Sequence, residues 1–473
     1  MLQAVRVEES REQLCHLRSE FRGWLSRRRK ADENKQYDSQ LEAIGKVTEA
    51  AVAAIQGGLD EISSGATRGE VYDACRAADG QMVFVDRLWG YYREKWDQRD
   101  DAALGPLLAA ADEVVWSCYV PPFRCLEQDP GPPPLPYVAA DFSAHAVTRA
   151  DLPRKLRPTD QLLHRTLREL PVPIIGLPRI CVARPWWLAV IAHEVGHHVA
   201  DCLDGGALIP RVSELLGKVS SGNGPLGWEA WAHEVFADAY SVALLGGVHL
   251  WLLAELEPQA GAGALRSSFG YPPPLVRLSL AEALMETLGL SRDRALPQAP
   301  AVPPVDSVQA EDADRRRAAG LLATVPGVAR ALADKPLAGG AKLPDLTDWK
   351  ASQLTDREAA GWWQKQFGGA APVSGEADVV AARMATVGAV AEWAEIAAEP
   401  RADERQEGMA RLRERVLQVL PECHEVGRRG PTGRGLDVED LSQWIAGEVR
   451  RISPEDVASA ASVDPSGHAT VEV

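Results

Sequence analysis

The sequence predicts a mostly α protein of the α+β class, in which a central region with a small β-sheet is flanked by helical N- and C-terminal regions. Three observations carry that expectation. Apolar residues recur at helical spacing over roughly the first 120 residues and again in the C-terminal third. The β-prone runs are few, short and confined to the stretch from Pro173 to Val182. Two apolar patterns, opening near Pro185 and Trp228, have the length and surroundings of buried helices.

At the N-terminus Leu14, Leu17, Phe21 and Leu25 share one helical face, as do Leu41, Ile44, Val47 and Ala51. Thr67-Arg68-Gly69-Glu70 has the form of a capping box, in which hydroxyl and carboxylate satisfy free amides at a helix start. The helix it opens carries Val71, Ala74, Val83 and Leu88 with Trp89, Tyr91, Tyr92 and Trp96, so residues 1–120 read as a helical bundle. From Pro121 to Pro136 proline is too dense for regular structure, and 121–140 reads as a linker or wrapping loop.

A central domain is expected over 141–295. Pro173-Ile174-Ile175 and Arg179-Ile180-Cys181-Val182 supply its β-prone runs. Pro185 stands at the first position of a helix reaching about Leu203, before Gly205-Gly206. Beyond the breakers Ser220-Ser221-Gly222-Asn223-Gly224-Pro225, a second helix runs from near Trp228 to Leu245, and an amphipathic stretch follows Pro272-Pro273-Pro274 to Leu288. Pro297 to Pro304 reads as a second linker. Residues 305–463 form the helical C-terminal region, with helices near 308–333, 375–398, 401–420 and 437–451, and 464–473 is a frayed tail.

A chain of 473 residues exceeds one ordinary core, and its hydrophobic (46%) and charged (25%) fractions are those of a folded protein. The net charge of −16 argues against nucleic acid as a partner, because phosphate binding needs a positive surface. The one basic run, Arg27-Arg28-Arg29-Lys30, is followed by Ala31-Asp32-Glu33 and reads as a solvated helix end. Seven cysteines without a Cys-x-x-Cys pair suggest reduced thiols. The N-terminus has no apolar leader core, and no stretch approaches the ~18 residues of a membrane span. The expectation is a cytoplasmic protein without a membrane span.

The chemistry concentrates in His193-Glu194-Val195-Gly196-His197. Two histidines four apart in a helix put both imidazoles on one face, where one metal ion can bridge them. Glu194 adjoins the first, angled towards a water beside the metal rather than the metal itself. Leu188, Val190, Ile191, Val195, Val199 and Leu203 make the surrounding helix apolar on nearly every side. Burying two imidazoles and a carboxylate there costs several kcal/mol (roughly) unless something satisfies them, and a zinc ion is the simplest compensation. A chance match to this pattern in such a chain is roughly a one-per-cent event. Gly196 fits a close approach to a neighbouring helix.

The second helix carries His233-Glu234-Val235-Phe236-Ala237-Asp238-Ala239-Tyr240. Glu234 and Asp238 lie four apart on one face. A carboxylate from this helix completes a His, His, Glu set with a fourth position open, and Asp238 can accept a hydrogen bond from a ligand imidazole.

His193-Glu194-x-x-His197 followed by Glu234-x-x-Ala237-Asp238 resembles the two-helix signature of the gluzincin metallopeptidases. The later element Tyr271-Pro272-Pro273-Pro274-Leu275-Val276-Arg277 is similar to that of soluble relatives of CAAX-type membrane endopeptidases, although those have histidine where Tyr271 stands. The resemblance covers about residues 170 to 290. It implies a minimal zincin-type metallopeptidase domain, one zinc ion held by His193, His197 and Glu234, Glu194 as general base, and Asp238 supporting a ligand. Tyr240, Tyr271 and Arg277 are candidates for transition-state or substrate contacts, with a structural role as the plainer reading of each.

Other residues have plainer readings. His198 and His233 point about 100° away from their neighbours in the motif. Asp201 is a runner-up ligand, rotated off the metal face. Ala200 and Leu203 exclude the metzincin pattern. Trp186, Trp187, Trp228 and Trp231 read as packing residues, and Cys202 as a small buried one. The expected function is zinc-dependent hydrolysis of a protein or peptide substrate, with the helical flanks choosing the partner. An extended peptide could pair on Arg179 to Val182 as an edge strand. The alternatives are a catalytically silent regulatory protein on the same scaffold, or an enzyme that cleaves its own chain.

Overall fold

The computed structural model describes residues 2–31, 36–63, 65–139, 145–147, 158–170, 172–220, 227–257, 260–267, 270–290, 303–347, 381–423 and 437–453. Over these residues the protein is mostly helical with one small sheet, as the sequence pattern predicts. In chain order the elements begin with α1 (Leu2–Lys30), α2 (Asp38–Asp60), α3 (Arg68–Asp97) and α4 (Gly105–Cys125). Strands β1 (Leu135–Val138) and β2 (His145–Val147) follow, then α5 (Pro158–Glu169), β3 (Ile174–Leu177) and the single turn α6 (Ile180–Ala183). Next come α7 (Ile191–Cys202), α8 (Leu208–Ser220), α9 (Ala232–Leu245), α10 (Gly247–Leu256) and α11 (Pro274–Thr287). The chain continues with α12 (Asp312–Asp334), the short α13 (Leu343–Leu346), α14 (Ala381–Ala397), α15 (Ala402–Val419) and α16 (Glu439–Arg450).

Two compact units arise, and neither is continuous in sequence. One takes Met1–Asp97, Arg149–Val172 and Arg429–Val473; the other takes Gln98–Thr148 and Pro173–Arg428. Apolar patterning says that a helix needs a partner but not which of many similar faces it meets.

In the first unit α1, α2 and α3 pack together, α16 lies on α2, and α5 meets α3 and α16. The expected capping box opens α3: the Glu70 amide donates to the Thr67 hydroxyl at 3.3 Å and the Thr67 amide to the Glu70 carboxylate at 2.7 Å. An aromatic cluster fills the core, with Phe21 and Trp24 against Trp89 at 5.8 Å and Tyr37 edge-on to Trp96 at 6.2 Å. The basic end of α1 is only partly solvated. Arg28 is buried and donates to Asp97 at 2.8 Å, while Arg29 forks onto Asp38 at 2.6 and 2.9 Å.

The second unit is built around α7, which packs against α9 and beneath α4. The sheet order is β1-β3-β2, with β1 parallel to β3 (Leu135 opposite Ile174) and β2 antiparallel to it (Val147 opposite Ile174). Two expectations need correction. The stretch from Pro121 to Pro136 is not wholly irregular: α4 runs through Pro121 and Pro122, and Pro136 lies in β1. A proline is tolerated in β1 because an edge strand leaves alternate amides unpaired. Nor is Arg179 to Val182 a strand. Pro178 starts a turn, its carbonyl accepts from the Cys181 amide at 3.0 Å, and α6 follows. The β-run nearest the His193–His197 segment is therefore the central strand β3, which offers no free edge to a peptide. The tail and most of the second linker lie outside the described residues, and among those described no single helix is long and apolar enough to cross a membrane.

Candidate metal centre

Pro185 stands at the start of a tight helical turn, Pro185–Val190, and α7 continues from it with Ile191, Val195 and Val199 fully buried. A second such turn, Trp228–Trp231, leads into α9. The helices meet where each has its smallest side chain. A Cβ added at Gly196 would come 2.9 Å from the Ala237 Cα, so the backbones nearly touch there. That approach lets the short side chains on either side of Gly196 reach across to α9.

Three predicted ligands converge there. His193 Nε2 lies 3.3 Å from one Glu234 oxygen, His197 Nε2 lies 3.6 Å from the other, and the two Nε2 atoms are 3.2 Å apart. These residues can hold a metal ion, and so can an overlapping set of His193, Asp238 and His249. Accessibility and charge separate the two. The side chains of His193, His197 and Glu234 keep 12, 10 and 13% of their surface, whereas Asp238 keeps 2% and its carboxylate is gripped by Arg277 at 2.9 Å through both oxygens. A cation on that carboxylate would lie beside the guanidinium, which weighs against the second set. Glu234 Oε2 is buried with only the His193 imidazole beside it, at 3.3 Å, so its charge faces a group that can itself be neutral.

The electrostatics favour positive charge at this point. Burial acts against a charge on His193, but the carboxylates of Asp238 and Glu234 outweigh it and hold its pKa up to about 10. His197 moves the other way, pushed down to about 3 by burial and by the charge beside it on His193. Burial likewise works against the carboxylate of Glu234, yet the two imidazoles keep it below its ordinary range. The donors thus accommodate one positive charge among them.

Asp238 lies against the first of these imidazoles, its Oδ1 2.9 Å from His193 Nδ1. Burial alone would raise its pKa, but Arg277, His193 and His249 hold it well below the usual carboxylate range. Arg277 is buried and spans Asp238 and Glu257, so it anchors Asp238 and is not a free oxyanion donor. Tyr240 is also corrected. It is fully buried and donates to the Cys118 carbonyl at 2.5 Å, an acceptor that Pro122, lacking an amide hydrogen, cannot serve.

Tyr271 does reach the site. Its ring covers the Arg277 guanidinium at 5.0 Å, and burial together with the charges of Glu234 and Glu194 pushes its hydroxyl above the ordinary tyrosine range. It therefore remains a hydrogen-bond donor at neutral pH. Glu194 is buried beside this group.

The remaining residues pack. His198 is a core residue whose Nε2 meets the Ile174 carbonyl at 3.1 Å, tying β3 to α7. Asp201 faces His233 at 3.8 Å, outside the ligand cluster. Trp186, Trp187, Trp228 and Trp231 are buried, with Trp187 edge-on to Trp251 at 5.4 Å. Cys202 is exposed. His249 and Glu257 escaped the sequence reading. The available signal was a lone histidine amid Val248, Leu250, Trp251, Leu252 and Leu253, a face too apolar to take an imidazole without a partner. Compared with known protein families, curated proteins and solved structures, the chain matches none.

Proposed function

We propose that the chain is a zinc-dependent metalloendopeptidase of the gluzincin type. The observation that carries this reading is the convergence of His193, His197 and Glu234 across the α7–α9 contact, with Glu194 on the same helix and a tyrosine hydroxyl beside it. Two imidazoles and one carboxylate suit zinc and leave a coordination position open. Bound zinc would supply Lewis-acid polarisation of the scissile carbonyl and a lowered pKa for water. Glu194 would take the proton from the attacking water and pass it to the departing amine nitrogen, so that one carboxylate serves both halves of the hydrolysis. Tyr271 would donate to the carbonyl oxygen as negative charge develops there. Cysteines that form no disulfide among the described residues fit a reducing, cytoplasmic setting.

The test pairs zinc content with proteome-wide cleavage profiling of wild type and Glu194→Gln. The expected result is one zinc per chain in both proteins and loss of cleavage in the variant. Absence of stoichiometric zinc from the folded wild type, or cleavage equal in the two, would remove the reading.

A further inference from the structure

The buried imidazole of His249 takes no part in the chemistry above, yet its placement is specific. The chain reverses between α9 and α10 at Gly246, whose φ of 56° and ψ of −130° suit glycine and strain any residue with a Cβ. The reversal brings residue 249 back against residue 238. His249 Nε2 then lies 3.2 Å from Asp238 Oδ1, the same oxygen that faces His193 Nδ1 at 2.9 Å and accepts from Arg277 Nη2 at 2.9 Å. The His249 and His193 rings are parallel within 9° at 6.0 Å, so the two imidazoles approach one carboxylate side by side. His249 keeps 3% of its side-chain surface and stands among apolar residues.

We infer that His249 is a positioning residue for the metal centre: it fixes the carboxylate oxygen of Asp238 against which His193 is oriented. The inference rests on the proposed metal-binding reading. Arg277 holds both oxygens of Asp238 and also pairs with Glu257. A second donor on Oδ1 restrains rotation of the carboxylate and keeps that oxygen in reach of His193 Nδ1. His193 Nδ1 then carries its proton and leaves Nε2 as the ligand atom. The other group that could do this, a second metal at His193, Asp238 and His249, is disfavoured by the charge of Arg277 on the same carboxylate.

Zinc affinity and the visible spectrum of the cobalt-substituted protein test this without any substrate. Wild type and His193→Ala come first: one equivalent bound by wild type and none at this site in the variant establishes the centre, and any other result counts against the metal reading itself, not against His249. Given that control, His249→Leu should weaken zinc binding about 10- to 100-fold and change the cobalt d–d bands. His249→Gln, whose amide can still donate to Asp238, should restore affinity to within a few-fold of wild type. Unchanged affinity and spectrum in His249→Leu would overturn the inference. So would a tenfold loss in His249→Gln with an unchanged unfolding midpoint. If His249→Leu does not fold, the glutamine variant decides alone: near-wild-type affinity and spectrum sustain the inference, and a tenfold loss overturns it.

Discussion

Gly196 shows how one missing side chain sets the geometry of the centre. The nearest atom to an added Cβ is the backbone Cα of Ala237 at 2.9 Å, which cannot swing aside. Gly196→Ala should therefore destabilise the protein by about 1–3 kcal/mol, even though alanine is the better helix former by about 1 kcal/mol. It should also weaken zinc binding at least about tenfold, because ligands on α7 and α9 move apart. Urea unfolding and chelator competition measure the two effects. Asp238 and Arg277 form a buried pair whose members depend on each other. Asp238→Asn leaves the guanidinium with Glu257 as its remaining carboxylate and should cost about 3–5 kcal/mol in the same unfolding assay. Tyr271 behaves differently because it is partly exposed and touches the site from the rim. Tyr271→Phe should lower kcat by about 100-fold with KM and zinc content little changed, since the lost hydrogen bond matters only as charge develops.

Helix α4 illustrates how an element can contradict its composition. Pro121 and Pro122 remove two helical donors, yet they fall in the last turn, and the Tyr240 hydroxyl of α9 fills the gap at Cys118. Tyr240→Phe should accordingly lower stability by about 1–3 kcal/mol while leaving zinc content and turnover unchanged. A loss of turnover at full stability would return Tyr240 to the chemistry. In α3, burial pushes the Lys95 ammonium down to about 8 from 10.5, although its Nζ donates to the Tyr91 carbonyl at 2.9 Å. Between about pH 8 and 10.5 the unfolded chain holds this proton and the folded chain does not, so stability rises with pH across that window. The rise is up to about 3 kcal/mol, because each tenfold difference in proton affinity between the two states is worth ~1.36 kcal/mol. Lys95→Met should flatten it, as read by urea unfolding at pH 8 and pH 10.

At the scale of the whole molecule, each unit draws its helices from segments far apart in sequence. In the first unit Ile445 and Val449 of α16 are buried and α16 packs on α2. A chain lacking residues 429–473 should lose about 3–6 kcal/mol of stability in that unit, taking roughly 1.5–3 kcal/mol for each of the two side chains. Amide exchange along α2 should quicken correspondingly, and unchanged exchange there would show that α16 contributes little. Such assembly from distant segments also explains the uneven legibility of the sequence. The capping box at Thr67 and Glu70, the helix opened by Pro185 and the strand at Ile174 and Ile175 rest on local backbone rules, and all are present. Arg179 to Val182 misled because β-branched residues suit a strand, while Pro178 and the turn after it settled the backbone.

The spacing of His193 and His197, and of Glu234 and Asp238, was enough by itself to put each pair on one helical face; Glu234 as the third donor came from the resemblance to the gluzincin pattern. A helix fixes residues four apart on one face whatever surrounds it. What only the tertiary structure decided is how those faces are backed. Arg277 became the anchor of Asp238, Tyr240 turned to Cys118, and His249 arrived from another helix. Each of these depends on a partner in a different element, and sequence periodicity carries no information about which buried donor will meet which buried acceptor.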